Sequence, residues 1–171
     1  MENVTIRGAT AEDAAAIRRV ARESWHATYD DILGAEAVES VVDDWYDPDG
    51  LEQSIVRDDG RFLVAEAESG SEAEVVGFAQ AVLGDEDDDA AQLPRIYVHP
   101  DRWGDGVGSE LLDRIESWLA DRGAERLRLI VLADNEVGNA FYEKCGYRTV
   151  GSRESEFEGE TVTDYVREKE L

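Results

Sequence analysis

The sequence predicts an α/β fold, a mixed α+β sheet with helices on both sides, in the order β-α-α-β-β-β-α-β-α-β-β. Three observations predict it. The hydrophobic period switches from helical to alternating after residue 60. A glycine-rich turn, "HPDRWGDGVGSELL", joins a strand-like stretch to an amphipathic helix. The segment "ERLRLIVLAD" is apolar on both faces, the mark of a buried, parallel strand. With 171 residues, 42% of them hydrophobic, and neither repeats nor a linker, the chain is expected to form one domain over residues 1–171.

The elements follow in order. "NVTIRGAT" alternates Val4 and Ile6 and reads as a short strand. Thr10 and Asp13 resemble a capping box, and Ile17, Ala21 and Trp25 then mark a helix from about Ala11 to Ser24, broken by "YDDILG". Val38, Val41, Val42 and Trp45 mark a second helix that stops at Pro48 and Gly50, with a short further helix at Leu51 and Ile55. "RFLVAEA" and "EVVGFAQAVLG" form a hairpin around the loose polar loop "ESGSEAE". "GDEDDDAAQ" is a solvated acidic loop, and "LPRIYVHP" is a strand ended by Pro100. A helix from about Gly106 to Asp121 buries Val107, Leu111, Ile115, Trp118 and Leu119 and ends at Gly123. After the apolar strand comes a short helix, "NEVGNAFYEKCGY", then two antiparallel strands near Tyr147–Ser152 and Thr161–Glu168.

Charge and composition exclude several functions. The formal net charge is −24, from 41 acidic and 17 basic residues, of which Lys144 and Lys169 are the only lysines. No basic stripe exists to pair with phosphates, so no nucleic-acid partner is expected. The acid is spread along the chain. That suits either a surface for a cationic partner or a halophilic protein in a cytoplasm of molar salt, where screening shrinks to about 3 Å; the scarcity of lysine favours the second. No apolar run approaches the roughly 18 residues of a membrane span, and the N-terminus lacks a signal-peptide layout. No membrane partner and a cytoplasmic location are expected. One cysteine, Cys145, and two distant histidines, His26 and His99, offer no metal-ligand spacing.

The chemistry begins at the glycines. A helix N-terminus presents unpaired N–H groups and partial positive charge. Gly104, Gly106 and Gly108 let the backbone approach an anion such as a phosphate or pyrophosphate; a tight strand-to-helix turn needs the same residues. The pattern is neither a Walker A loop nor the dinucleotide fingerprint. A second segment adds weight. Asn135, Gly138, Asn139 and Tyr142 share one helical face, with the apolar stripe Val137, Phe141 and Cys145 on another taken as core. A glycine inside a helix costs about 1 kcal/mol against alanine, which suggests something passing close by.

Together these two segments resemble the core motifs of the GNAT acetyltransferase superfamily. "RWGDGVG" is similar to its acyl-CoA pyrophosphate loop, and "NEVGNAFYEKCGY" to its Asn-x-x-Ala…Tyr-x-x-x-Gly-Phe/Tyr segment. The resemblance implies an N-acetyltransferase that moves the acetyl group of acetyl-CoA to a primary amine of a small molecule or peptide, by direct attack through a tetrahedral intermediate. Gly104, Asp105, Gly106, Val107, Gly108 and Ser109 would hold the pyrophosphate. The strand edge at Ile96, Tyr97 and Val98 would pair with the pantetheine arm, with a backbone N–H near Val98 meeting the oxyanion. Asn135, with Gly138 beside it, would bind the pantetheine, and Tyr142 would be the general acid. Trp103 stands where Gln or Arg is usual, and Asp105 puts a negative charge beside the pyrophosphate. Gln92 stands where some relatives carry a glutamate, and no base is assigned. Trp25 and Tyr29 are read as substrate-pocket residues, with core packing an equal alternative. Alternative functions are a non-catalytic acyl-CoA-binding regulatory module and a nucleotide-phosphate binder. A homodimer is left open.

Overall fold

The computed structural model describes residues 4–69, 72–84, 90–157 and 159–171. The chain runs β1 (Val4–Gly8), α1 (Ala14–Leu33), α2 (Ala35–Trp45), α3 (Pro48–Ile55), β2 (Gly60–Ser69), β3 (Glu72–Val82), β4 (Ala90–Val98), α4 (Val107–Asp121), β5 (Arg126–Leu132), α5 (Glu136–Lys144), β6 (Arg148–Phe157) and β7 (Glu160–Glu170). The strands form one seven-stranded sheet in the order β1-β2-β3-β4-β5-β7-β6. The expected mixed α/β architecture is present. Its one parallel contact joins β4 to β5; the other neighbours are antiparallel.

Each face of the sheet carries its own core. On one face α4 buries Leu111, Leu112, Ile115 and Leu119 against Ala79, Leu127 and Leu129, with α5 beside it through Phe141 and Cys145. On the other, α1–α3 bury Ile17, Val20, Val38, Val42, Tyr46 and Leu51 against Phe62 and Phe78. Each such side chain, fully buried, contributes about 1.5–3 kcal/mol.

Several boundaries differ from expectation, each for a physical reason. α1 does not break at "YDDILG" but runs to Leu33. Its buried stripe continues from Ile17 through Ala21 and Trp25 to Tyr29, and Asp31 is exposed. The terminator is Gly34, whose φ of 93° departs from the helical range. Pro48 opens α3 at the first position, and Asp47 caps it by accepting the Gly50 N–H at 3.0 Å. The β2–β3 ladder continues to Ser69 opposite Glu72, so most of the expected loop belongs to the strands; residues 70 and 71 lie outside the described residues. Of the acidic loop, residues 85–89 also lie outside them, while Ala90, Ala91 and Gln92 belong to β4 and make its pairing with β5. β5 is not buried on both faces, because Ile130 is 43% exposed. Val137 is not core either: it is 58% exposed, on the open side of α5.

Charged side chains tie these layers together. Arg7 holds both oxygens of Asp13 at 2.8 Å and also pairs with Glu66. Asp13 in turn accepts the Thr10 N–H at 2.8 Å, the expected cap, here over a 3-10 turn at Ala11–Asp13. His26 joins α1 to α2. Its Nδ1 meets Asp30 at 2.6 Å and its Nε2 meets Glu39 at 2.8 Å.

Burial of His26 disfavours the imidazolium, but its hydrogen bonds to Glu39 and Asp30 outweigh burial and raise its pKa above the ordinary 6.5. A raised folded pKa stabilises the fold fully below the unfolded value and loses that contribution as pH rises through the folded one. The stability difference between the protein and His26→Gln, measured by urea unfolding, is therefore expected to be largest near pH 6 and to shrink towards alkaline pH. A constant difference across that range would refute the charged clasp.

Candidate active site

The site begins at an irregularity in β4. Gln80 pairs with Arg95 and Val82 with Gln92, so β4 holds one residue more than β3 across this step. That extra residue is a β-bulge at Leu93–Pro94, and Pro94 has no N–H to offer a neighbour. β4 and β5 accordingly pair only over Ala90–Gln92 and Arg126–Arg128, then part. Leu93–Val98 and Leu129–Leu132 form the two banks of a cavity of about 900 Å³.

The backbone of the β4 bank is polar towards this gap. The His99 N–H donates to Val76 at 2.8 Å, across to β3. Strand alternation then turns the N–H and C=O of Ile96 and Val98 the other way, into the gap. The Tyr97 backbone faces β3, and its ring enters the aromatic cluster described below. The Val98 carbonyl is occupied: it accepts the Trp103 indole Nε1–H at 2.8 Å. Trp103 thus stitches the glycine turn to the end of β4, while the Val98 N–H stays open.

The turn delivers α4 to the cavity. Gly104 and Gly106 both have φ of 86°, the left-handed conformation that side chains resist. Gly106 is the N-cap and supplies no side chain, so the first N–H groups of α4, from Val107, Gly108 and Ser109, have no cap. Gly108 serves differently. A Cβ there would lie 3.2 Å from Phe141 Cε1 and Cζ, so the bare backbone lets α4 and α5 touch. Asp105 stands apart: its side chain is exposed, it does not line the cavity, and its N–H is spent on the Arg102 carbonyl at 3.2 Å. His99 anchors the turn. Its Nδ1 accepts the Asp101 N–H at 3.1 Å, and its Nε2 pairs with Glu23 of α1.

α5 supplies the opposite wall. Asn135 is its N-cap; Oδ1 accepts the Gly138 N–H at 2.8 Å and Nδ2 donates to the Tyr29 hydroxyl at 3.0 Å. A Cβ on Gly138 would lie 2.5 Å from Asn135 Nδ2, so the object passing close to Gly138 is the cap's own amide. Asn139 is scaffolding: its amide donates to the Leu132 and Asn135 carbonyls, and its Oδ1 accepts from Arg167 at 3.0 Å. Tyr142 lines the cavity, and its hydroxyl hydrogen-bonds none of the described residues. Burial, then the neighbouring Tyr29, Cys145 and Tyr46, push its pKa above the usual tyrosine range. Burial likewise raises the Cys145 thiol, which is therefore not an activated nucleophile.

The far half of the cavity is aromatic. Trp25 and Tyr29 lie 4.5 Å apart between ring centroids, with Trp45 and Tyr97 at 5.6 and 5.7 Å from Trp25. Both readings of Trp25 and Tyr29 hold at once: each is 5% exposed, and each lines the cavity. Burial raises the Tyr29 pKa. Asp164, Ser155 and Arg153 of the last two strands also line the cavity, as do Trp45 and Arg95. None of these five had a sequence signal beyond its place in an alternating strand or amphipathic helix.

The α4–α5 contact predicts that Gly108→Val forces the helices apart. A loss of about 1–3 kcal/mol of stability is expected in denaturant unfolding. Unchanged stability would show that the backbone approach does not matter.

Known proteins resemble this chain in sequence and fold. Residues 16–147 match the acetyltransferase (GNAT) family. The chain is 29% identical over 156 residues to the spermidine N(1)-acetyltransferase of Thermoplasma acidophilum, covering 91% of this chain and 94% of that protein. It is 36% identical over 107 residues to an acetyltransferase of Pectobacterium atrosepticum, covering 62% of this chain and 71% of the other. A crystal structure of PaiA N-acetyltransferase from Thermoplasma acidophilum in complex with coenzyme A has a TM-score of 0.83 and 29% identity, with 99% of each chain covered. The chain therefore belongs to the GNAT acetyltransferase family, and it is an acetyl-CoA-dependent N-acetyltransferase that acetylates an amine.

Proposed function

We propose that the chain, as one domain, acetylates a small cationic amine and that the cavity divides the work between its two halves. The carrying observation is the Tyr142 hydroxyl, which lines the opened β4–β5 gap and hydrogen-bonds none of the described residues. The groups around it fit acetyl-CoA. The N–H groups of Val107, Gly108 and Ser109, reached past Gly104 and Gly106, suit the pyrophosphate. The gap-facing edge at Ile96 and Val98, with Tyr97 holding the strand to β3, suits the pantetheine amides. Asn135 has a second amide proton beyond the one given to Tyr29, and it serves the same arm, with Gly138 leaving room for the amide. Asp105 contributes only to the shape of the turn.

Acetyl-CoA supplies an acyl carbon activated by a thiolate leaving group. In the transfer the amine nitrogen bonds that carbon, the carbon–sulfur bond breaks, one proton leaves the amine and one reaches the sulfur. The open Val98 N–H meets the charge that develops on the acyl oxygen. Tyr142, whose raised pKa keeps it protonated, directs its O–H at the departing sulfur. Trp25 and Tyr29 wall the acceptor side. The spermidine-acetylating relative and this aromatic enclosure, which suits a cation, together support a small-molecule amine.

The setting proposed is a cytoplasm of molar salt. No helix among the described residues is long and apolar enough to cross a membrane. Arginines 7, 18, 19, 22 and 57 are engaged in ion pairs with carboxylates, which leaves the excess acid without cations. Added molar KCl is expected to raise the unfolding midpoint, and cooperative unfolding unchanged by KCl would count against salt adaptation.

Tyr142→Phe tests the site. Turnover, read as thiol release, is expected to fall about 10²-fold, with acetyl-CoA binding nearly unchanged by calorimetry. Wild-type turnover in this variant would remove Tyr142 from the mechanism. Because its pKa lies above the ordinary 10.0, Tyr142 should impose no alkaline fall in turnover below about pH 10.

A further inference from the structure

Asp164 is a buried carboxylate on the cavity wall that the steps above do not use. It lies on β7 opposite Leu132 of β5 and Arg153 of β6, and its side chain is 7% exposed. Oδ2 accepts the Ser155 hydroxyl at 2.8 Å and is 3.4 Å from Arg153 Nε. Oδ1 hydrogen-bonds none of the described residues. A carboxylate taken from water is costly unless its oxygens find donors. Arg153 compensates it incompletely, since that side chain is 54% exposed and its charge is shared with solvent. The buried wall is thus left with an acceptor oxygen that suits a cationic guest.

The charge of that oxygen decides which cation. A carboxylate holding the reacting nitrogen would stabilise its protonated form and oppose attack. The cation that Asp164 holds is therefore one that does not react. We propose that Asp164 binds the second, non-reacting ammonium of a linear diamine-type acceptor, with Ser155 aiming the carboxylate. The proposal rests on the reading of an amine acceptor given above and adds to it the requirement for two cationic groups.

The test compares 1,4-diaminobutane with n-butylamine in the protein, Asp164→Asn and Ser155→Ala. Thiol release is read as kcat and KM, and diamine binding in the presence of CoA is read by calorimetry. Asp164→Asn is expected to weaken diamine binding and raise its KM at least tenfold, with kcat, acetyl-CoA KM and monoamine KM nearly unchanged. Ser155→Ala keeps the charge and should raise the diamine KM about threefold, which guards against misfolding of the first variant. Equal effects on both amines, a fall in kcat alone, or no diamine binding by the unmodified protein would overturn the proposal. Diamine binding that depends on Asp164 without any thiol release would uphold the cation site and overturn the acceptor reading instead.

Discussion

Two strands that pair for three residues and then separate create everything that follows in this molecule. A sheet normally closes its ladder, because an unpaired buried N–H or C=O is costly. Here an extra residue in β4 and a proline without an N–H end the ladder between β4 and β5, while β3 continues to hold β4 from its other side and β7 holds β5. The hydrogen-bonding groups released on the β4 edge face a cavity rather than a strand. They are available to a guest with amide groups of its own.

The surrounding structure keeps that opening in place. α4 and α5 pack on one side of the sheet and α1 on the other, and each contributes a terminus or a side chain to the gap. Asn135 shows how closely the parts are joined. One amide caps α5 through Gly138, reaches across to Tyr29 of α1 and retains a proton for the cavity. Asn139, one turn on, ties α5 to β5 and, through Arg167, to β7. Two asparagines on one helical face thus divide into a cavity residue and a brace.

This division was not legible in the sequence, where both residues share a face. Local features were legible: the helical stripes of α2 and α4, the strand alternation, the glycine turn and the α5 tyrosine all depend on near neighbours. What escaped depends on distant partners. The bulge in β4 is defined only against β3, so the strand's start at Ala90 reads as loop in the sequence. The end of α1 lies beyond the break the sequence suggests, because acidic residues on its solvent side look like a break. Asp164 is one carboxylate among 41 acidic residues, and only the packing of β5, β6 and β7 around it makes it unusual. Trp103, which looked out of place beside a diphosphate, proves to be a strut from the turn to the Val98 carbonyl.

The contact between Gly108 and Phe141 has a metrical consequence. The first turn of α4 and Tyr142, the residue after Phe141, are two marks on the cavity wall. Because a ring rests directly on backbone, with no flexible side chain between them, the two marks cannot drift independently. The cavity behaves as a gauge of fixed span. On the proposed placement of acetyl-CoA, a thioester donor whose anionic tail lies closer to its sulfur than in CoA would engage one mark or the other, but not both. Selection of the donor would then be a measurement of length, made by the scaffold.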